Sequence, residues 1–520
     1  MDKNTWLPAP ILRGRMVEAE YNDPLIPDYQ KNPLIEALPP IWSKEQVIDM
    51  LQYYPDYQEA HRQWPPELRQ HLIRNVLKFF EVMPRHIDLE QLLSSMLRLG
   101  YEARNPSLLG FYGDIDKRID ALLNGRPLFS NLQSTALGLA IIGISGVGKS
   151  VTLGRLLTLY PQVIFHHHYR GEDFSHVQLV WLKLECPSNG STKALCLNFF
   201  QALDDLLGTN YAANYAHHGR DTENEMKKNM ALLASLHSIG VLVIDEIQHL
   251  SVAKSGGSEQ MLSFFVELIN KVGMPIILVG TYKAKPLLSS EFRLARKSAG
   301  LGDFVWDSMR RDDTWKLFLE SLWRYQYTQQ VCPLTPRLSH TLYDVTQGIT
   351  DLAVKVYMLA QARAITRGEE AITASIIRSV ARDSLQMARP ILDALKSGDI
   401  QELYKVDDVL PVDYDTLLRV ITNKSNQLAP IRIQKENPQG QNVPASQEQG
   451  ASSAQKPASP IPPAQKAPDA SPEQTKTKVE NSLVELAIQG RKLGIPLNDL
   501  LRQNGYFPSE NTQQMGGSNR

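Results

Sequence analysis

Short apolar runs alternate with longer stretches of helical spacing through the middle of the chain. The runs at 137–144, 177–184, 241–244 and 275–279 are apolar nearly throughout and do not alternate with polar residues. That pattern belongs to strands buried on both faces, and runs of this kind separated by helices predict an α/β fold with a parallel sheet covered on each side. A last strand is expected at 302–306. Beyond Trp306 helical spacing takes over, with Thr335 as an N-cap followed by Pro336 at the first helical position, and Thr373 as another N-cap. This predicts a helical lid. The first hundred residues, dense in Pro and aromatics, carry helical spacing at 43–50 and 67–82 and predict a small, mostly helical unit with extended approaches.

The far end reads differently. Residues 425–472 are rich in Pro, Gln, Ala and Ser with few aliphatic side chains, too little apolar surface to offset ordering entropy, so a flexible tether is expected. After it Val479, Leu483, Leu486 and Leu493 recur at helical spacing. A docking peptide and a small helix packed back on the body are both readings of this tail. The expected organisation is an N-terminal partner-binding region (1–115), a nucleotide-binding core (116–312), the lid (313–400), a connecting segment (401–424), the tether (425–472) and the tail (473–520).

At 520 residues, 42% hydrophobic and 21% charged, the chain suits about three globular domains. A net charge of -1 means that any nucleic-acid contact must come from a local basic surface. Three cysteines, Cys186, Cys196 and Cys332, with no C-x-x-C pair, supply neither a disulfide framework nor a zinc site. The sequence has no uncharged apolar run near the roughly 20 residues that span a bilayer, so a cytoplasmic protein without a membrane partner is expected.

The strongest local signal is Gly143-Ile144-Ser145-Gly146-Val147-Gly148-Lys149-Ser150, which fits G-x-x-x-x-G-K-[ST] directly after one apolar run and before the helical stretch 151–159. Glycines let the backbone wrap a phosphate with its N–H groups, Lys149 brings charge to the β- and γ-phosphates, and the Ser150 hydroxyl is a magnesium ligand. ATP and Mg2+ are the expected cofactors, held by Gly143, Ser145, Gly146, Val147, Gly148, Lys149, Ser150 and Val151. The run at 241–244 ends in Asp245-Glu246. In an open α/β sheet that strand end lies beside the phosphate site, so Asp245 is a second metal candidate and Glu246 the candidate general base. Gln248 and His249 complete D-E-x-x-H, but a zinc protease needs a histidine at 245, and a helicase needs a second motor domain for which no sheet pattern exists downstream.

A third run ends at Gly280-Thr281, where a polar side chain can sense the γ-phosphate, as the sensor does in AAA+ ATPases. Arg293 and Arg296 precede the expected last strand and could reach a neighbour's nucleotide with a permanently charged fork, a solvated helix face being the competing reading. In the lid, Gly348-Ile349-Thr350-Asp351 followed by Lys355 resembles the second sensor region of initiator-type AAA+ proteins, with Lys355 as the residue that reads the nucleotide.

Taken together, the P-loop, Tyr160-Pro161-Gln162-Val163-Ile164, the segment from Cys186 to Lys193, Leu197-Asn198-Phe199-Phe200, Asp245 to Leu250 and Gly280-Thr281 resemble TnsC, the AAA+ regulator of Tns transposons, related to TniB proteins. Asn32-Pro33-Leu34-Ile35-Glu36-Ala37-Leu38-Pro39-Pro40 and Arg104-Asn105-Pro106 resemble that family's N-terminal pieces, so the resemblance covers roughly 32–397 and leaves out tether and tail. It implies an AAA+ P-loop ATPase that forms a ring or filament homo-oligomer on double-stranded DNA with ATP. It also implies that a TniQ or TnsD type selector signals through it to a TnsA and TnsB type transposase, and that hydrolysis resets the assembly. Candidate DNA contacts are Ser191, Thr192 and Lys193 at a helix N-terminus, and His168 and Arg170 in a partly cationic stretch, binding backbone without sequence choice. An ordinary N-cap and a solvated loop compete with these two assignments. A DNA-independent signalling ATPase assembling on protein partners is the alternative function.

Overall fold

The computed structural model describes residues 12–108, 134–216, 222–252, 257–288 and 304–398. The tether, the connecting segment, the tail, and Arg293 and Arg296 lie outside the described residues.

Among the described residues five parallel strands make the main sheet: β2 (Gly138–Ile142), β5 (Trp181–Glu185), β6 (Val241–Asp245), β7 (Ile276–Gly280) and β8 (Phe304–Val305), in the order β5-β6-β7-β2-β8. Every residue of β2, β6 and β7 is buried, as unbroken apolar runs require. Because successive side chains point to opposite faces, each strand divides its residues between two cores. Leu139, Ile141, Val243, Ile277 and Val279 face one core, with the P-loop helix (Lys149–Leu159), the N-terminal helices and the lid. Ala140, Ile142, Leu242, Ile244 and Leu278 face the other, with the helices Thr192–Leu207, Glu223–Leu236 and Gly257–Glu267. The acidic strand β6 does not touch β2: β7 lies between them, so the P-loop, Thr281 and the acid pair sit at neighbouring carboxyl ends.

One expected strand divides in two. Of the run 177–184, Val177 to Leu179 belong to β4 (Glu172–Leu179), which pairs antiparallel with β3 (Val163–Tyr169), and only the rest continues into β5. Together with β1 (Met16–Glu18), parallel to β3, these form a second, three-stranded sheet. Arg170 (φ 52) and Gly171 (φ 86) make its hairpin tip, two consecutive left-handed residues that close a tight turn.

The N-terminal region is helical, as expected: Pro33–Glu36, Lys44–Leu51, Pro66–Ile73 and Pro84–Glu102. The longest, Pro84–Glu102, was not apparent from the spacing; it lays Leu89, Leu93, Met96 and Leu97, all fully buried, into the same core as the sheet. Arg155 on the P-loop helix stacks over Phe80 at 4.3 Å, and Tyr160 donates to Glu90 Oε1 at 2.8 Å.

The lid comprises Asp313–Leu322, Pro336–Thr346, Thr350–Thr366, Ala374–Ser384 and Arg389–Ser397. Thr335 and Thr373 cap their helices by accepting from Leu338 N and Ile376 N, and Pro336 opens its helix. Thr350–Thr366 runs through the lid's centre with thirteen of its residues buried. Arg69, fully buried, ties it to the N-terminal region by a two-pronged pair with Glu370, 2.7 Å on each side. Among the described residues no helix is long and apolar enough to cross a membrane.

Candidate nucleotide site

The loop after β2 closes tightly on its surroundings. A Cβ on Gly143 would lie 1.9 Å from Trp306 O, so only glycine fits where the loop passes the residue following β8. Trp306 Nε1 donates to Val147 O at 3.0 Å and pins the far side of the same loop. Gly146 (φ 81) and Gly148 (φ 97) take left-handed turns that side chains strain to adopt, and Gly148 caps the P-loop helix. Lys149 Nζ donates to Gly143 O and Ile144 O, both at 2.8 Å, so the lysine is folded into the loop's own ring of carbonyls.

Asp245 ends β6 and is 4% exposed. Its Oδ2 pairs with Lys183 Nζ on β5 at 2.8 Å, and its Oδ1 accepts from Glu246 N at 3.0 Å. Glu246 then turns out of the sheet with φ 56, a left-handed backbone for a non-glycine residue. Gln248, buried, donates through Nε2 to Glu246 Oε2 and accepts through Oε1 from Thr281 N at 3.2 Å. His249 Nδ1 lies 3.0 Å from Cys186 O, and burial, reinforced by the Glu246 charge, pushes the Cys186 thiol up to about 12, which keeps it protonated.

The lid closes the site from the opposite side. Asp351 N donates to Gly146 O at 3.0 Å, and Lys355 Nζ pairs with Asp351 Oδ2 at 2.7 Å. The resulting cavity, about 500 Å³, is lined by Ser145, Gly146, Gly148, Lys149, Ser150, Val151, Asp245, Glu246, Gln248, His249, Gly280, Thr281, Ile349, Asp351, Leu352, Lys355, Ala388 and Ile391.

The candidates Ser145, Gly146, Gly148, Lys149, Ser150, Val151, Asp245, Glu246, Thr281 and Lys355 thus line one cavity. Gly143 and Val147 are structural parts of the loop: Gly143 packs on Trp306, and Val147 is turned into the core. The residues suit a magnesium nucleotide, since they offer glycine-turned backbone, the Lys149 ammonium, the Ser150 hydroxyl and a buried carboxylate at Asp245. Sequence reasoning missed Lys183, although a lone charge in Trp181-Leu182-Lys183-Leu184 marks it out, and Ala388 and Ile391, which nothing local in the sequence marks.

The other candidates lie elsewhere. Ser191 accepts from Ala194 N as the N-cap of Thr192–Leu207, and Thr192 is 4% exposed. Lys193 is half-buried in that first turn. His168 Nδ1 sits 2.9 Å from Asp173 Oδ1, and Arg170 pairs with Glu36 at 2.9 Å, both on the small sheet. Between these strands His166 is buried against Tyr21 and Gln178, and among the described residues no group of three or more His, Cys, Asp or Glu is arranged to hold a metal ion.

A family model described as an AAA domain matches residues 132–288. Among solved structures, Orc1 of Aeropyrum pernix in complex with DNA is similar at 14% identity and a TM-score of 0.33, covering 62% of this chain and 85% of that one. Cdc6p from Pyrobaculum aerophilum gives 14% and 0.33 over 62% and 83%, and a Walker-type ATPase of Pyrococcus abyssi 14% and 0.28 over 62% and 97%. No curated protein matches the chain. With a matching domain model, a five-stranded parallel sheet and a P-loop at its carboxyl edge, the chain carries an AAA+ domain, a P-loop ATPase of the AAA type.

Proposed function

We propose that this chain is an ATP-hydrolysing regulator of DNA transposition of the TnsC type. The observation that carries the ATPase reading is the single cavity uniting the P-loop, the Asp245-Glu246 pair, Thr281 and the first turn of a lid helix. Magnesium, when bound, neutralises charge developing on the β- and γ-phosphates. Ser150 and Asp245 would hold it. Lys149 exchanges Gly143 O and Ile144 O for phosphate oxygens, Glu246 takes a proton from the attacking water, and Thr281 orients that water. Lys355, already tied to Asp351 beside Gly146, conveys the state of the site to the lid. Arg293 or Arg296 completes a neighbour's site, so nucleotide state and assembly share one free energy.

The transposition part of the reading rests on the resemblance of the P-loop, Cys186–Lys193, Asp245–Leu250 and N-terminal segments to TnsC. On it, ATP-bound copies assemble as a ring or filament along duplex DNA, contacting backbone through Ser191, Thr192, Lys193, His168 and Arg170. They receive a signal from a TniQ or TnsD type selector and pass it to a TnsA and TnsB type transposase, with 1–115 as a partner-binding region. The tail 473–520, on its tether, is proposed as a docking element. Arg170 and His168 are each matched by an acid, which favours a second reading, a DNA-independent signalling ATPase assembling on protein partners.

Imaging the protein with duplex and a nonhydrolysable ATP analogue separates the two. Assemblies that need both ligands, with DNA affinity falling as salt rises, support the first. Assembly and ATP turnover indifferent to duplex would leave the second. Glu246→Gln should stop turnover while retaining bound ATP.

A further inference from the structure

We infer that Gln248 is the positioning residue of the Glu246 carboxylate, a side-chain crossbar that fixes the base to the end of β7. The inference rests on the reading of Glu246 as the group that takes the proton from water.

Gln248 is 6% exposed and lines the cavity. Both ends of its amide are used: Nε2 donates to Glu246 Oε2, and Oε1 accepts from Thr281 N at 3.2 Å. The orientation of the amide is decided by chemistry. Reversed, its oxygen would face a carboxylate and its NH2 a backbone N–H, two repulsions in place of two hydrogen bonds.

The surroundings are shaped for this bridge. Glu246 is held at φ 56, a left-handed backbone that persists only where its neighbours over-determine it. A Cβ on Gly280 would stand 3.0 Å from Gln248 Oε1 and 2.5 Å from Ile247 Cγ2, so glycine before Thr281 leaves the space the crossbar occupies. Because β7 lies between β6 and the P-loop strand, the bridge refers the carboxylate to the strand beside the phosphate loop. Loss of the Gln248 bond widens the set of staggered conformers from which the carboxylate must address one water.

Two variants separate positioning from mere support. Gln248→Met removes both hydrogen bonds at similar volume. Gln248→Glu can still accept from Thr281 N but no longer donates to Glu246. In Gln248→Met turnover should fall by about 10- to 100-fold with nucleotide affinity within about two-fold, the split expected when only the chemical step is affected, and in Gln248→Glu turnover should fall at least as far, with the added negative charge also weakening the nucleotide. In the protein without nucleotide, the Thr281 amide should exchange with deuterium faster in Gln248→Met and at the wild-type rate in Gln248→Glu.

Wild-type or raised turnover in either variant, beside an inactive Glu246→Gln, overturns this inference alone. Unchanged Thr281 exchange in Gln248→Met does the same. Glu246→Gln with wild-type turnover overturns the underlying assignment and this inference with it.

Discussion

Replacing Arg69 with Met tests how the lid is held. The guanidinium makes four hydrogen bonds: Nε to Trp64 O at 2.8 Å, NH1 to Tyr327 O at 2.9 Å, and NH1 and NH2 to the two Glu370 oxygens at 2.7 Å. Burial would raise the Glu370 carboxyl, but the hydrogen bonds from Arg69 and Gln329 N and the Arg69 charge outweigh it and hold it below the usual range. Met keeps the apolar stem, strands a mostly buried carboxylate and leaves two carbonyls without their donor. Breaking one side of a buried pair costs about 3–5 kcal/mol, and because Glu370 is 13% exposed the lower end applies. A loss of about 3 kcal/mol is a factor of about 10² in the opening equilibrium. Amide exchange across Thr350–Thr366, measured where exchange reports that equilibrium, should therefore speed up by about two orders of magnitude. Arg62→Met is the internal control: its pair with Glu59, 3.0 Å long and 82% exposed on the acid side, should be worth at most about 1 kcal/mol. If Arg69→Met and Arg62→Met change lid exchange alike, the clamp does not hold the lid. The double variant Arg69→Met/Glu370→Gln should recover part of the loss, since the stranded charge is gone.

Gly143→Ala should lower the melting temperature and abolish nucleotide binding, because its Cβ would stand 1.9 Å from Trp306 O; calorimetry and fluorescent-nucleotide titration check both. Trp306→Phe loses the bond to Val147 O, about 1 kcal/mol, and part of the indole's packing on Arg85 and His86, and should weaken nucleotide binding by at least about five-fold while the fold survives, a titration result distinct from that of Gly143→Ala. Acid should destabilise the protein through its buried histidines: burial pushes His166 and His237 down to about 4 from an ordinary 6.5. Depressed folded values mean that this stability is present above pH 6.5 and is lost as pH falls towards 4, by about 1 kcal/mol per histidine at pH 5.5. Urea midpoints at pH 7.5 and 5.5 should thus diverge in the wild type and diverge less in His237→Gln.

What the sequence disclosed and what it hid divide along a physical line. The P-loop was legible because its turn, charge and hydroxyl are contiguous, and the lid caps because Thr335 and Thr373 act on amides three residues away. The β3–β4 hairpin was hidden because its buried histidines look polar: His166 and His176 lie neutral inside, satisfied by Tyr21, Gln178 and Ser238. Lys183 could not be linked to Asp245 without knowing that β5 pairs with β6. Ala388 and Ile391 reach the cavity only through the folding of the whole lid. Reading the first hundred residues as a separate unit missed that Leu89, Leu93 and Met96 share a core with the sheet, since helical spacing says which face is apolar and not what it meets.

The helix Thr350–Thr366 is fastened at two distant places, to Gly146 O at its first turn and, just past its end, to Arg69 through Glu370. Its 17 residues at about 1.5 Å each make a strut of about 25 Å. A strut anchored at both ends joins what it touches: the phosphate loop and the surface formed by Pro66–Ile73 are linked through one rigid element and two sets of hydrogen bonds.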